Sequence, residues 1–119
     1  MQPQGTSCKK GDIFMADLPK DEGSLQYGTR PVLVISNNYA DSHSPVITII
    51  PLTSRLQKKP LPTHVAISAH RCGLEKYSIV LAEQIMSINK KQLKRKAGSI
   101  SETVYEERVK KAVIIQLSL

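Results

Sequence analysis

Tryptophan is absent from the 119 residues, and four tyrosines with one phenylalanine are the whole aromatic complement. The core of any fold must therefore come mostly from Ile, Val and Leu. Long apolar runs are missing too: stretches such as 32–35 and 79–82 fall far short of the roughly 20 residues a membrane-spanning helix needs. The polar first ten residues lack the apolar segment of a secretory signal. Cysteine is scarce, and Cys8 and Cys72 stand 64 positions apart with no CxxC spacing, which argues against a disulfide framework or a zinc knuckle and fits a reducing cytoplasm. Also absent are the phosphate loop GxxxxGK[ST], a GxGxxG turn, a GxSxG elbow and HExxH. His43, His64 and His70 have no metal-ligand spacing with the cysteines or with one another, so neither a metal site nor a cofactor is expected.

What is present suits one small domain over 1–119, with 1–8 read as a tail. Lys and Arg number 17 against 10 Asp and Glu, a net charge of +7. Residues 1–60 hold seven basic and five acidic side chains and 61–119 hold ten and five, so five of the seven net charges lie in the second half. Lys90, Lys91, Lys94, Arg95 and Lys96 fill five of seven consecutive positions. Such a cluster attracts polyanions in a salt-dependent way. It reads equally well as the solvated face of a helix.

Short apolar runs between turn formers predict strands over 13–18, 31–36, 46–52, 63–68 and 78–88, the last being the central strand. In 63–68, Val65 and Ile67 face one way and His64, Ala66 and Ser68 the other. A short helix is predicted between Asn89, an N-cap with Gln92 three residues on, and Gly98. Ser99 and Glu102 repeat that pattern ahead of a C-terminal amphipathic helix with Tyr105, Val109, Ala112, Val113 and Gln116 on one stripe. Segments 19–29 and 54–62 are the longer loops, the usual working parts of a small barrel. The sum is a mainly β fold with helices: a small, partly open β-barrel with helices at its edges.

Several polar side chains interrupt this apolar pattern. Arg30 stands before Pro31 at the mouth of a strand, Thr53 and Ser54 end another, and Glu83 and Gln84 break the run 79–85. A buried carboxylate or amide needs partners. Taken singly, each has a plainer reading: a surface charge beside a turn for Arg30, local backbone bonding for Thr53 and Ser54, a solvent-facing carboxylate for Glu83.

Five strings occur in order: Lys10-Gly11-Asp12-Ile13, Gly28-Thr29-Arg30-Pro31-Val32-Leu33-Val34-Ile35-Ser36-Asn37, Pro51-Leu52-Thr53-Ser54, Leu61-Pro62-Thr63-His64-Val65 and Val80-Leu81-Ala82-Glu83-Gln84-Ile85. Together they resemble the MazF/PemK family of bacterial toxins, from about Lys10 to the C-terminus. The resemblance implies a CcdB/PemK-like, SH3-like β-barrel, a homodimer in the bacterial cytoplasm with no membrane association, and metal-independent cleavage of single-stranded messenger RNA through its own 2′-hydroxyl. It also implies a cognate acidic antitoxin. The catalytic pair transfers to Arg30 and Thr53, with Glu83 as base or as orienter of Arg30. Ser24, Gln26, Tyr27, Ser54, Lys58, Lys59, His64 and Gln84 are expected to contact RNA, Tyr27 by stacking on a base.

Two departures from the family pattern stand out. Some relatives carry Arg-x-Asp where this chain has Leu81-Ala82-Glu83, so only the carboxylate is retained. Close relatives place an acidic residue and glycine around Gln26, where Leu25 and Tyr27 stand here. Toxins of the same fold include inhibitors of DNA gyrase. That activity, or a catalytically inactive relative binding RNA or protein, is the alternative to a nuclease.

Overall fold

A computed structural model describes residues 7–37, 43–55 and 59–119. Seven strands are joined in one sheet: β1 (Asp12–Leu18), β2 (Gly28–Val34), β3 (Val46–Thr53), β4 (His64–Ile67), β5 (Ser78–Leu81), β6 (Met86–Asn89) and β7 (Leu93–Ser99). The order is β4-β5-β3-β2-β1-β7, with β6 also on β3, and the strand pairs are antiparallel. Two α-helices are described: a single turn, α1 (Ala69–Cys72), and the C-terminal α2 (Tyr105–Leu117).

β3 organises the sheet because its two halves have different neighbours. Val46 to Ile49 pair with β6, whereas Leu52 and Thr53 pair with β5. The sheet curls about this strand, and apolar alternation fills both of its faces. Ile13, Leu33, Ile50 and Leu52 join Val65, Ile67 and Val80 under Tyr105, Val109 and Ala112 of α2. Phe14, Ala16, Val32, Val34, Ile47 and Ile49 form a second cluster with Ile88 and Leu93. Each fully buried Ile, Leu or Val contributes roughly 1.5–3 kcal/mol relative to exposure.

The strand expected over 78–88 is broken, and it is β3, not this segment, that lies at the centre. A 3-10 turn, Ala82–Gln84, separates β5 from β6, which pair with different halves of β3. The turn falls where Glu83 and Gln84 interrupt the apolar run, and both side chains bond outside their own segment.

The helix expected between Asn89 and Gly98 is replaced by a 3-10 turn, Lys90–Gln92, and the strand β7. The capping box does form: the Asn89 side chain takes the backbone N–H at Gln92, and the Gln92 side chain takes the Asn89 N–H. Nε2 of Gln92 also donates to the Asp17 carbonyl at 2.8 Å, which ties the turn to β1. From Leu93 on, pairing with β1 overrides local helix propensity.

The C-terminal helix is present but starts later than Ser99. Ser99 ends β7 and its Oγ accepts from Ser101 N, while Thr103 Oγ1 accepts from the N–H of Tyr105, the first helical residue. Of the expected stripe, Tyr105, Val109 and Ala112 are buried, Val113 is half-buried and Gln116 is exposed. The tail expected over 1–8 falls partly outside the described residues; within them, Cys8 is buried in the second cluster.

Candidate active site

Strand register explains why Arg30 and Thr53 meet. Val32 pairs with Pro51, so Arg30, two residues before Val32, and Thr53, two after Pro51, lie at the same end of the β2–β3 pair. Both line one cavity of about 310 Å³ with Ser54, Met15, Lys76 and Arg95 among its other walls. Among the described residues, Glu75 is the one acidic side chain lining it, against Arg30, Lys76 and Arg95.

The donors in this cavity are already oriented. Nε of Arg30 donates to the Tyr27 carbonyl at 3.0 Å, which fixes the plane of the guanidinium and leaves its two terminal amino groups to meet a ligand. Thr53 is buried at the strand end, and its Oγ1 accepts the N–H of Arg55 at 3.1 Å. With that lone pair occupied, the hydroxyl proton is the part of Thr53 left for an acceptor. A fork of N–H groups beside an O–H donor can hold the oxygens of a phosphodiester.

The first loop forms the second part of the site. Ser24 and Tyr27 are exposed and Gln26 is half-buried. Gln84 reaches this loop from the 3-10 turn: its Oε1 accepts from Gln26 N at 2.8 Å and its Nε2 donates to the Ser24 carbonyl at 3.1 Å. The Gln84 amide, expected to contact RNA, is thus occupied in shaping the loop. Oε1 of Gln26 is enclosed without a hydrogen-bond partner among the described residues, at a typical cost of about 1–3 kcal/mol.

Glu83, expected as base or as orienter of Arg30, belongs to a third group apart from the residues that line the cavity of Arg30. Oε1 of Glu83 accepts from Thr63 Oγ1 at 2.8 Å, and Oε2 lies 2.8 Å from Nε2 of His64. Nδ1 of His64 accepts the Leu61 N–H at 3.1 Å, so the proton sits on Nε2 and is donated to Glu83. Burial raises the Glu83 carboxyl pKa, but the hydrogen bonds from Thr63 and His64 outweigh it and leave the pKa below the usual value. The strand expected over 63–68 is shorter, His64–Ile67, and the His64 side chain, expected on its outer face, is only 7% exposed with both ring nitrogens engaged.

Ser54 lines the cavity, Lys59 is exposed, and Lys58 lies outside the described residues. Lys76 and Arg95 line the cavity and were not singled out from sequence. Arg95 was visible as one member of the basic cluster. A helical reading of that cluster gives no reason to separate it from its neighbours. Among the described residues, no three His, Cys, Asp or Glu side chains are grouped to hold a metal ion.

A family model for the PemK-like, MazF-like toxins of type II toxin-antitoxin systems matches residues 9–117. The chain belongs to this family. Among solved structures, it is similar to the Mycobacterium tuberculosis toxin MazF-mt6, with 25% identity and a TM-score of 0.74 over 91% of this chain and 97% of that one. MazF from Deinococcus radiodurans gives 23% identity and a TM-score of 0.77, over 95% and 98% of the two chains. An endoribonuclease in complex with its cognate antitoxin from a mycobacterial species gives 23% and 0.75, over 94% and 96%. The CcdB/MazF-like fold with its C-terminal helix is therefore the fold of this MazF-like chain. No described helix is long and apolar enough to cross a membrane.

Proposed function

We propose that this MazF-like toxin is a sequence-specific, metal-independent endoribonuclease that cleaves single-stranded messenger RNA and is held inactive by a cognate acidic antitoxin. The observation that carries the reading is the shared cavity of Arg30 and Thr53, each with donors left over for a phosphate. RNA brings its own nucleophile. An enzyme has to align the 2′-oxygen with phosphorus and stabilise the charge that develops on the non-bridging oxygens.

Arg30 supplies that stabilisation. Its terminal amino groups grip two phosphate oxygens, and the grip strengthens as the pentavalent phosphorane forms. Because a guanidinium has a pKa above about 12, Arg30 acts as a charge and a template, not as a proton donor. Thr53 donates a hydrogen bond from its hydroxyl to a phosphate oxygen and so positions the group. The 2′-oxygen gives up its proton to water and bonds to phosphorus as the bond to the 5′-oxygen breaks, and that oxygen takes a proton from water, giving a 2′,3′-cyclic phosphate and a 5′-hydroxyl end. Glu83 acts at a remove, holding His64 and the segment around it.

Ser24, Gln26 and Tyr27, with Ser54, Lys58 and Lys59, are the proposed contacts to the RNA on either side of the cleaved bond. The exposed Tyr27 ring offers a stacking surface. A +7 chain suits a flexible acidic antitoxin, whose charge-assisted contacts offset the entropy lost on ordering. The exposed Ile115, Leu117 and Leu119 at the end of α2 provide apolar surface for a second copy in a homodimer. Similar solved structures, among them an endoribonuclease in complex with its cognate antitoxin, support both the activity and that partner.

The test incubates the purified protein in EDTA with a long mixed-sequence RNA, beside Arg30→Ala and Thr53→Ala, and maps every new end. Discrete cuts by the parent, weakened about 100-fold or more in Arg30→Ala, are expected. Intact RNA with folded, antitoxin-free parent protein would overturn the nuclease reading and favour gyrase inhibition or binding without cleavage.

A further inference from the structure

A β-bulge in β7 singles out one arginine of the basic cluster. Phe14 pairs with Lys96 and Ala16 with Leu93, so Met15 alone stands opposite both Lys94 and Arg95. In a regular strand Arg95 would share the face of Leu93, which is buried beside Phe14 and Ala16. The additional residue re-aims it, and Arg95 lines the cavity together with Met15, Arg30 and Thr53. Its neighbours have carboxylates of their own: Lys94 Nζ lies 3.1 Å from Asp17 and Lys96 Nζ 3.2 Å from Asp12. Arg95 is exposed to the cavity.

The charge in the cavity exceeds what a single phosphate calls for. Among the described residues lining it, Arg30, Lys76 and Arg95 stand against one carboxylate, Glu75, so three positive charges less one negative leave two in excess. A single-stranded nucleic acid presents one negative charge per nucleotide, so a site that follows the strand meets a phosphate on either side of the one that reacts.

We infer that Arg95 forms a second phosphate subsite, taking a backbone phosphate of single-stranded RNA next to the phosphate held by Arg30. The inference rests on the RNA reading above and extends it to a residue outside the catalytic pair. Arg95 binds a phosphate whose charge does not change during the reaction, so it stabilises ground state and transition state alike. Its loss should raise KM and leave kcat unaltered.

The experiment uses the full chain as parent, Arg95→Gln, Arg95→Lys and Lys94→Gln. Kinetics are followed on a cleaved oligoribonucleotide. Direct binding is measured on the same strand with a 2′-deoxy residue at the cleaved position, over a series of salt concentrations. Arg95→Gln should raise KM and the Kd of the uncleavable strand about tenfold, as expected for one charge-assisted contact. Its kcat should stay within about twofold of the parent's, and the slope of log affinity against log salt should fall by about 0.7. Arg95→Lys should restore the slope with only part of the affinity, and Lys94→Gln should leave both as they were.

A parent-like Kd and salt slope in Arg95→Gln overturn the subsite while leaving the nuclease reading intact. A fall in kcat at constant KM also overturns it, because Arg95 would then act on the reacting phosphate. If the parent binds the strand without cutting it and Arg95→Gln binds more weakly with a shallower slope, the nuclease reading fails and the subsite stands. If the parent neither binds nor cuts RNA, both fall.

Discussion

The side-chain amide of Gln84 clasps the backbone of the first loop at Gln26, whose N–H it accepts at 2.8 Å across 58 residues of chain. Through its other end it holds the Ser24 carbonyl. Tyr27, the residue after Gln26, gives its carbonyl to Nε of Arg30. The turn that breaks the strand run is thereby coupled to the guanidinium in the cavity. Gln84→Ala removes both bonds, each worth about 0.5–1.5 kcal/mol net. It should lower kcat about tenfold or more by letting the guanidinium stray from its productive position. Amide hydrogen exchange at residues 24–27 should quicken while the thermal midpoint moves by only a few degrees. Unchanged exchange in that loop would show that Gln84 does not hold it.

Arg30→Lys separates charge from geometry. The ammonium keeps the positive charge but has neither the fork nor an Nε to bond the Tyr27 carbonyl. Cleavage should therefore fall about 100-fold, close to the level of Arg30→Ala. Single-turnover kinetics at saturating RNA provide the check, and a rate near the parent's would remove the bidentate grip from the mechanism.

Glu83 should show itself in acid. Its carboxyl has a lowered pKa in the folded state, the hydrogen bonds from Thr63 and His64 outweighing burial. The stability it adds is present above the unfolded glutamate value of about 4.3 and is lost as pH falls through the lower folded value. Urea midpoints measured from pH 6 to pH 3 should drop for the parent, and drop less steeply for Glu83→Gln, which starts lower. The side chain is about a quarter exposed, so the effect is screened by solvent. Parallel curves for the two proteins would deny Glu83 this role.

Much of the fold could be read from alternation alone. Val65 and Ile67 are buried on one side of β4 with Ala66 exposed between them, and Tyr105, Val109 and Ala112 form the buried stripe of α2, as their spacing requires. What misled was the segment from Asn89 to Gly98. Its capping box is real but closes only a 3-10 turn, and a run of lysines after a cap looks the same whether it continues as a helix or as an edge strand. Pairing with β1 decides between them, and that contact spans some 80 residues of sequence. The bulge that carries Arg95 to the cavity is a property of the two-strand register, so no local pattern shows it. The resemblance pointed to Arg30 and Thr53, which line one cavity; it did not show that Glu83 and His64 occupy each other.

A Cβ at Gly98 would run into the carbonyl oxygen of Cys72 at the end of α1, and it would also crowd Leu74 Cδ2 at 3.0 Å. The first obstacle is backbone, which cannot swing aside as a flexible side chain can. Gly98→Ala must therefore push β7 away from the α1 turn, and overpacking of this kind costs about 1–3 kcal/mol. Gly73 and Leu74, just past α1, and Arg95 and Ala97 of β7 line the same cavity, so the shift should reach function as well. If β7 positions Arg95, Gly98→Ala should raise KM for RNA along with lowering the urea midpoint, whereas Gly23→Ala in the exposed loop should change the midpoint little. A lowered midpoint with an unchanged KM would mean that the strand can move without taking the arginine with it.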